Sequence, residues 1–325
     1  MRLGLDTLSY RCAAGLWEYV PRENAPMTAY HFLRKAAELN LDGVHLRDPR
    51  HLDSLEYGYV SNLREEAERL GLYLELGTEG TNPDHLETMV RTAHVAGASL
   101  VRTAVAKERP TGAAAMDAML ARAADDLRQV VPVCERYGIA LAVENRGELT
   151  ATELLALVDL IGSDAVGVSF DTTASVLVLE DPVEAVGTLA PLLRSLHLRD
   201  CQLAARAEGF AVIGCALGEG VLDLRGILDL VAAQAPEASV NIAAHSVKHV
   251  VPALEEDYLV RLARTPASEL GRALRQVRDR GLPREPLLPH ERGLDESEML
   301  AEEDDLLLRS AGWTRQATRP PESDM

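Results

Sequence analysis

Eight times along the chain, a short run rich in Val, Ile and Leu is followed by a longer Ala-, Leu-, Glu- and Arg-rich segment of helical period. No other feature constrains the fold as strongly, because a strand that runs parallel to its predecessor needs a crossover of a dozen or more residues, usually a helix. The strands are predicted at 3–8, 43–46, 73–76, 100–103, 140–143, 166–170, 195–198 and 239–242. The helices between them are predicted at 28–39, 61–70, 85–96, 114–137, 151–161, 182–189 and 224–233. Eight such units over roughly 265 residues match a closed (β/α)8 barrel better than a doubly wound sheet. In "ERLGLYL" and "ERYGIAL", Gly71 and Gly138 stand just past a helix, where a left-handed residue satisfies the last carbonyls.

After His249 the character changes. A helical stretch gives way to the proline-rich "LPREPLLPHERG", then to an acidic helix "DESEMLAEEDDLLLRSAGW", and last to the polar "RQATRPPESDM". Residues 1–265 are read as the barrel domain and 266–325 as a C-terminal helical and Pro-rich extension, with about ten final residues disordered. Leu300, Leu306, Leu307 and Trp313 would bury apolar surface against the barrel or a second copy, so a homo-oligomer, dimer or tetramer, is expected.

Composition narrows the partners. A formal charge of -18 repels nucleic acid and acidic lipid, and 4% aromatic residues leave few platforms for stacking bases. A small-molecule substrate is the expected partner, with no nucleic acid and no membrane. Cys12, Cys134, Cys201 and Cys215 form no CxxC pair, and neither a leader peptide nor an apolar span is read, so reduced thiols in the cytoplasm are expected.

In such a barrel, chemistry sits at the C-terminal ends of the strands. The fifth strand closes on Glu144, the sixth on Asp171, and the seventh carries His197 with Asp200 beyond. Neighbouring strands lie ~4.8 Å apart, so the two acids would crowd one another and a divalent cation would relieve the repulsion. The donor set suits Mn²⁺, the expected ion, or Mg²⁺, Co²⁺ or Zn²⁺. Each acid taken singly could instead cap a helix or pair with a base.

The phrases "LGLDTLSY", "KAAELNLDGVHL", "ALAVENRGE", "VGVSFDTTAS", "SLHLRDCQ" and "GCALGEGVLDLRGIL" together give a chain that, over residues 1 to about 280, resembles the sugar phosphate isomerase/epimerase group of xylose isomerase-like TIM barrels. That group includes ketose 3-epimerases, hydroxypyruvate isomerase, inosose dehydratase and 3-oxo-isoapionate decarboxylase. The resemblance implies that Glu144, Asp171 and His197 are metal ligands. It also implies proton abstraction beside a carbonyl through an enediolate, with Glu144 moving the proton. The group's fourth ligand, a Glu on the eighth strand, is replaced here by Ala243, and Ala174 stands where an Asn or His often holds substrate.

Two-sided epimerisation loses its second acid/base with that Glu, which favours a lyase or decarboxylase step. His245, two residues on, is the candidate replacement ligand or base. Candidate substrate-binding residues at the rim are His45, Arg47, Glu75, Lys107, Asp200, Lys248 and His249, with Glu79 and Arg109 as weaker ones. For Arg47, a salt bridge to Asp48 or Asp6 is the competing reading. The glycines of "GCALGEG" lack a strand–GxGxxG–helix context, so Gly218 and Gly220 are read as turn residues, with Asp223 capping the next helix. The function expected is a metal-dependent isomerase, epimerase or lyase on a small polyhydroxylated carbonyl compound. The alternative is a catalytically inactive barrel serving as a binding or structural subunit.

Overall fold

A computed structural model describes residues 1–16 and 25–319. The strands are β1 Arg2–Asp6, β2 Gly43–Leu46, β3 Tyr73–Gly77, β4 Leu100–Thr103, β5 Ala140–Glu144, β6 Val166–Asp171, β7 Leu193–Leu198, β8 Asp200–Ala205, β9 Phe210–Cys215, β10 Ser239–Ile242 and β11 Lys248–Val251. The α-helices are α1 Ala29–Glu38, α2 Tyr57–Leu70, α3 Pro83–Ala96, α4 Ala113–Tyr137, α5 Ala151–Ile161, α6 Ala174–Leu177, α7 Pro182–Leu189, α8 Leu224–Gln234, α9 Glu256–Arg261, α10 Ala267–Arg280 and α11 Glu296–Ala317.

Eight parallel strands close in the order β1-β10-β7-β6-β5-β4-β3-β2, the TIM barrel that the alternation implies. The eighth barrel strand is therefore β10. Its helical shell seats on an apolar cluster that includes Leu5, Phe32, Val44, Leu141, Phe170 and Ile242. Gly71 and Gly138 end α2 and α4 with φ of 71° and 66°, and their amides return to carbonyls of the last turn. Among the described residues no helix is long and apolar enough to cross a membrane. All four cysteines are buried.

The segment that leaves β7, for which no strand is read from the sequence, is more than a connecting loop. It is an antiparallel sheet in the order β11-β9-β8, projecting from the C-terminal rim. Two apolar runs flank the turn at 206–209, which needs Gly209: its φ is 153°, and a Cβ there would lie 2.3 Å from the Val251 carbonyl oxygen. Leu203, Phe210 and Val251 pack with Ala273 and Val277 of α10 under this sheet.

α11 returns to the barrel. Leu306, Leu307 and Ala311 join the main core, with Leu300 and Trp313 partly buried against it. Glu303 accepts from the amides of Cys12 and Ala13 at 2.6 and 3.1 Å, and the Tyr10 hydroxyl donates to Asp304. The helix runs on to Ala317, into the stretch expected to be disordered; residues 320–325 lie outside the described part.

Candidate active site

β5, β6 and β7 are neighbours, and register places Asp171 directly opposite His197. Alternation along each strand turns these side chains into the barrel, where Glu144 and His197 are 0% exposed and Asp171 2%. One donor atom from each of Glu144, Asp171 and His197 lies within 4.8 Å of the others, so the three residues meet as a group that could hold a metal. Asp6, His45 and His197 form a second such group. His197 joins the two: its Nδ1 is 2.6 Å from Glu144 Oε1, its Nε2 is 3.5 Å from Asp6 Oδ2, and its ring stacks on His45 with centroids 4.6 Å apart.

Three arginines enter the same volume. Arg47, just past β2, places Nη2 at 3.0 and 3.1 Å from the two oxygens of Glu144, and Nη1 at 3.3 Å from Asp6 Oδ2 and 3.1 Å from His197 Nδ1. Arg102 of β4 lies 3.6 Å from Glu144 Oε2, and Arg199, just past β7, donates to Asp171 Oδ2 at 2.8 Å. Asp171 Oδ1 is taken as well, by the amides of Thr173 and Ala174 and by the Thr173 hydroxyl.

Burial opposes ionisation of Asp6, Glu144 and Asp171, but the guanidinia outweigh it. Arg47 and His45 hold Asp6 well below the usual carboxylate range; Arg47 and Arg102 do the same for Glu144, and Arg199 lowers Asp171. Burial pushes His45 down to about 3, so its imidazole is neutral as it hydrogen-bonds Asp6 Oδ2 at 2.9 Å. Counting carboxylates and guanidinia alone, Asp6, Glu144 and Asp171 balance Arg47, Arg102 and Arg199.

These contacts bear directly on metal binding. The expected ligands converge, yet every carboxylate oxygen of Glu144 and Asp171 already accepts from a donor. A divalent ion placed among them would meet the Arg47 guanidinium and leave two uncompensated positive charges in a buried site. Ala243, 0% exposed at the end of β10, adds no ligand. With Arg47 where it stands, the set does not fit a divalent ion.

The other rim candidates divide. His45 and Arg47 belong to the cluster, and of the two readings for Arg47 the salt bridge to Asp6 is present. His245 is 5% exposed; its Nδ1 is 2.8 Å from the Ala243 carbonyl and its Nε2 3.4 Å from Arg199 Nη2. Burial and Arg199 hold its pKa well below the ordinary histidine value, so it is neutral and braces Arg199. His249 is exposed on β11 within electrostatic reach of Arg199 and Asp171.

Glu75 lies deeper, beneath the cluster, where the Ser195 and Ser239 hydroxyls and Asn241 Nδ2 all donate to it; burial raises its pKa. Asp200 turns away from the mouth to accept the amides of Cys201, Gly218, Gly220 and Leu222, and so shapes the loop before α8. Lys248 pairs with Glu285 and Glu291, and Arg109 with Glu153, and neither enters the cluster around Glu144 and Asp171. Glu79 pairs with Arg146 at the surface. Lys107 is exposed, with no ion pair among the described residues. Asp223 caps α8 through the Gly226 amide, as read from the sequence.

Arg102 and Arg199 were not singled out from the sequence, and Asp6 entered only as a partner for Arg47. Each carried a signal: an acid closing the first strand, an arginine inside the apolar run "LVRT", and an arginine between His197 and Asp200 in "HLRD".

Comparison with known proteins agrees with the fold. Residues 33–242 match the family described as xylose isomerase-like TIM barrel. A 3-oxo-isoapionate decarboxylase from Pectobacterium atrosepticum is 32% identical over 227 residues, 69% of this chain and 78% of that one. Among solved structures, a D-allulose 3-epimerase from Methylomonas sp. superposes with TM-score 0.61 at 15% identity, covering 98% of both chains. A structure of the IOLI protein with a binding zinc atom gives TM-score 0.57 at 14% identity, covering 86% of this chain and 96% of that one.

Proposed function

The chain belongs to the xylose isomerase-like TIM barrel family, and from that premise we propose that it is an enzyme cleaving a carboxylate from a small polyhydroxylated 3-oxo acid through an enolate-type intermediate. The observation that carries this reading is the pair of partly solvent-reached guanidinia at the rim. The side chains of Arg47 and Arg199 keep 12% and 10% exposure, whereas Arg102 keeps 2%.

In the reaction, the bond from the carbon between the two carbonyl groups to the carboxylate breaks and CO2 leaves. The electron pair moves onto the ketone oxygen, and a solvent proton adds to the carbon. Fixed guanidinium N–H groups aimed at that oxygen stabilise the developing charge without reorganising, which is where such sites gain most of their rate. Asp6 and Glu144 hold Arg47 in place, and Asp171 with His245 holds Arg199. Glu144 is bound on both oxygens by Arg47 and has a depressed pKa, so its part here is to position Arg47. One-sided chemistry also suits Ala243, since epimerisation needs an acid/base on each face. The 32% identity to a decarboxylase supports the same choice.

The test is to incubate the full chain with a polyhydroxylated 3-oxo acid in D2O. Loss of CO2 with one deuterium entering beside the ketone is the expected result. Deuterium exchange or epimerisation without CO2 loss would make it an isomerase, and no turnover across such acids would leave the binding or structural barrel. A second reading rests on the 4.8 Å clustering of Glu144, Asp171 and His197, which only with Arg47 displaced from Glu144 would hold Mn²⁺, or Mg²⁺, Co²⁺ or Zn²⁺, to supply Lewis acidity.

A further inference from the structure

We infer that the Arg47 guanidinium takes the place of a divalent ion in this protein, so that the carboxylates gathered at the rim are neutralised by the chain itself and the folded protein needs no metal. Arg47 is a built-in part of the site, held at its backbone as well as at its head. Its amide donates to Thr7 Oγ1 at 3.0 Å, and its carbonyl accepts from Arg102 Nη2 at 2.9 Å. The β3 backbone makes room for it: a Cβ on Gly77 would sit 2.2 Å from the Arg47 carbonyl oxygen, so only glycine lets the two segments approach. From that anchor the side chain reaches Asp6 on β1, Glu144 on β5 and His197 on β7.

The chemistry of the donors points the same way. His197 Nδ1 faces a carboxylate oxygen at 2.6 Å and a guanidinium nitrogen at 3.1 Å. Glu144 can only accept, so the shorter contact is an N–H donated to Glu144; that nitrogen has no lone pair for an ion, which leaves Nε2, 3.5 Å from Asp6 Oδ2 and on the far side of the ring from Glu144, as the ring's one remaining ligand atom. The planar guanidinium in turn matches the carboxylate on both oxygens, as a monopositive, directional stand-in for a cation. A small side chain at Ala243 is consistent with a site whose charge is already balanced: a further carboxylate there would restore a net negative charge, which is what a metal site uses to attract its ion.

The experiment reads ion content, so it stands apart from the decarboxylase reading and from any activity. Full-length protein purified without chelator is analysed by mass spectrometry for bound metals, then titrated calorimetrically with MnCl2 and ZnCl2 alongside the Arg47→Met variant. Expected are fewer than about 0.1 ion per chain in the wild type and no change in its unfolding midpoint with EDTA or Mn²⁺. Arg47→Met, with its carboxylates uncompensated, should bind Mn²⁺ roughly tenfold or more tightly than the wild type. One divalent ion per wild-type chain, lost in His197→Ala, overturns the inference; so does equal Mn²⁺ affinity in wild type and Arg47→Met. Should Arg47→Met fail to fold, the wild-type ion content and its EDTA response decide alone.

Discussion

Arg47 Nη2 lies 3.0 and 3.1 Å from the two oxygens of Glu144, although 97 positions separate the residues in sequence and two barrel strands, β3 and β4, lie between β2 and β5. The contact is buried, and removing one member of such a pair leaves the other as an uncompensated charge. Arg47→Met, which fills similar volume without charge, should therefore lose on the order of 3–5 kcal/mol in urea unfolding without added metal. Glu144→Gln keeps the shape and a hydrogen-bond acceptor, and the double variant Arg47→Met/Glu144→Gln should recover part of the loss. Strictly additive losses would mean that the two groups do not interact energetically.

Arg199 connects the carboxylate of Asp171 to the imidazole of His245 at the mouth. If it also receives the charge that develops on the substrate, Arg199→Lys should lower kcat/KM by roughly 100-fold, since an ammonium cannot reproduce the planar fork. Most of the loss should fall on kcat, because the interaction strengthens as the enolate forms. A rise in KM with kcat unchanged would assign Arg199 to substrate binding alone.

Much of the barrel was legible before the structure was known, and the reason is local. The runs "GVHL", "LVRT" and "SVNI" are apolar and β-branched and are flanked by helical segments, and β2, β4 and β10 fall on the same residues. Convergence of Glu144, Asp171 and His197 was legible too, because strand order and side-chain alternation place strand-end residues on one rim. The charge that balances them was not. Which of several rim arginines reaches which carboxylate depends on the barrel's curvature and on close packing such as that of Gly77 against Arg47, and no local pattern encodes either. The sheet of β8, β9 and β11 was missed for a different reason: its glycines drew the reading towards loops, when apolar runs either side of a glycine turn are a hairpin signal.

α11 contributes to the core of the barrel, with Leu307 0% exposed and its neighbour Leu308 55% exposed. Leu307→Ala should cost about 2–5 kcal/mol through the cavity it leaves, while Leu308→Ala should change stability by less than about 0.5 kcal/mol. Urea midpoints of the two variants make the comparison. Equal midpoints would mean that the helix is dispensable to the barrel.

Glu148, in the loop after β5, is 2% exposed, and neither carboxylate oxygen has a hydrogen-bond partner of normal geometry among the described residues. Burial pushes its pKa up to about 7, and the amides of Glu148 and Ala106, which favour the anion, only partly offset this. An acid whose folded pKa is raised holds its proton in the native state at a pH where the unfolded chain has released it. Its contribution is therefore fully favourable below the unfolded value near 4.5 and is lost as pH rises to about 7. Glu148→Gln removes that titration, so the variant should gain on the order of 2–3 kcal/mol relative to wild type between pH 4 and pH 8, most of it by pH 7. Urea unfolding of both proteins across that range checks it. Stability curves that run parallel from pH 4 to pH 8 would show that Glu148 ionises in the folded protein as readily as in the unfolded chain.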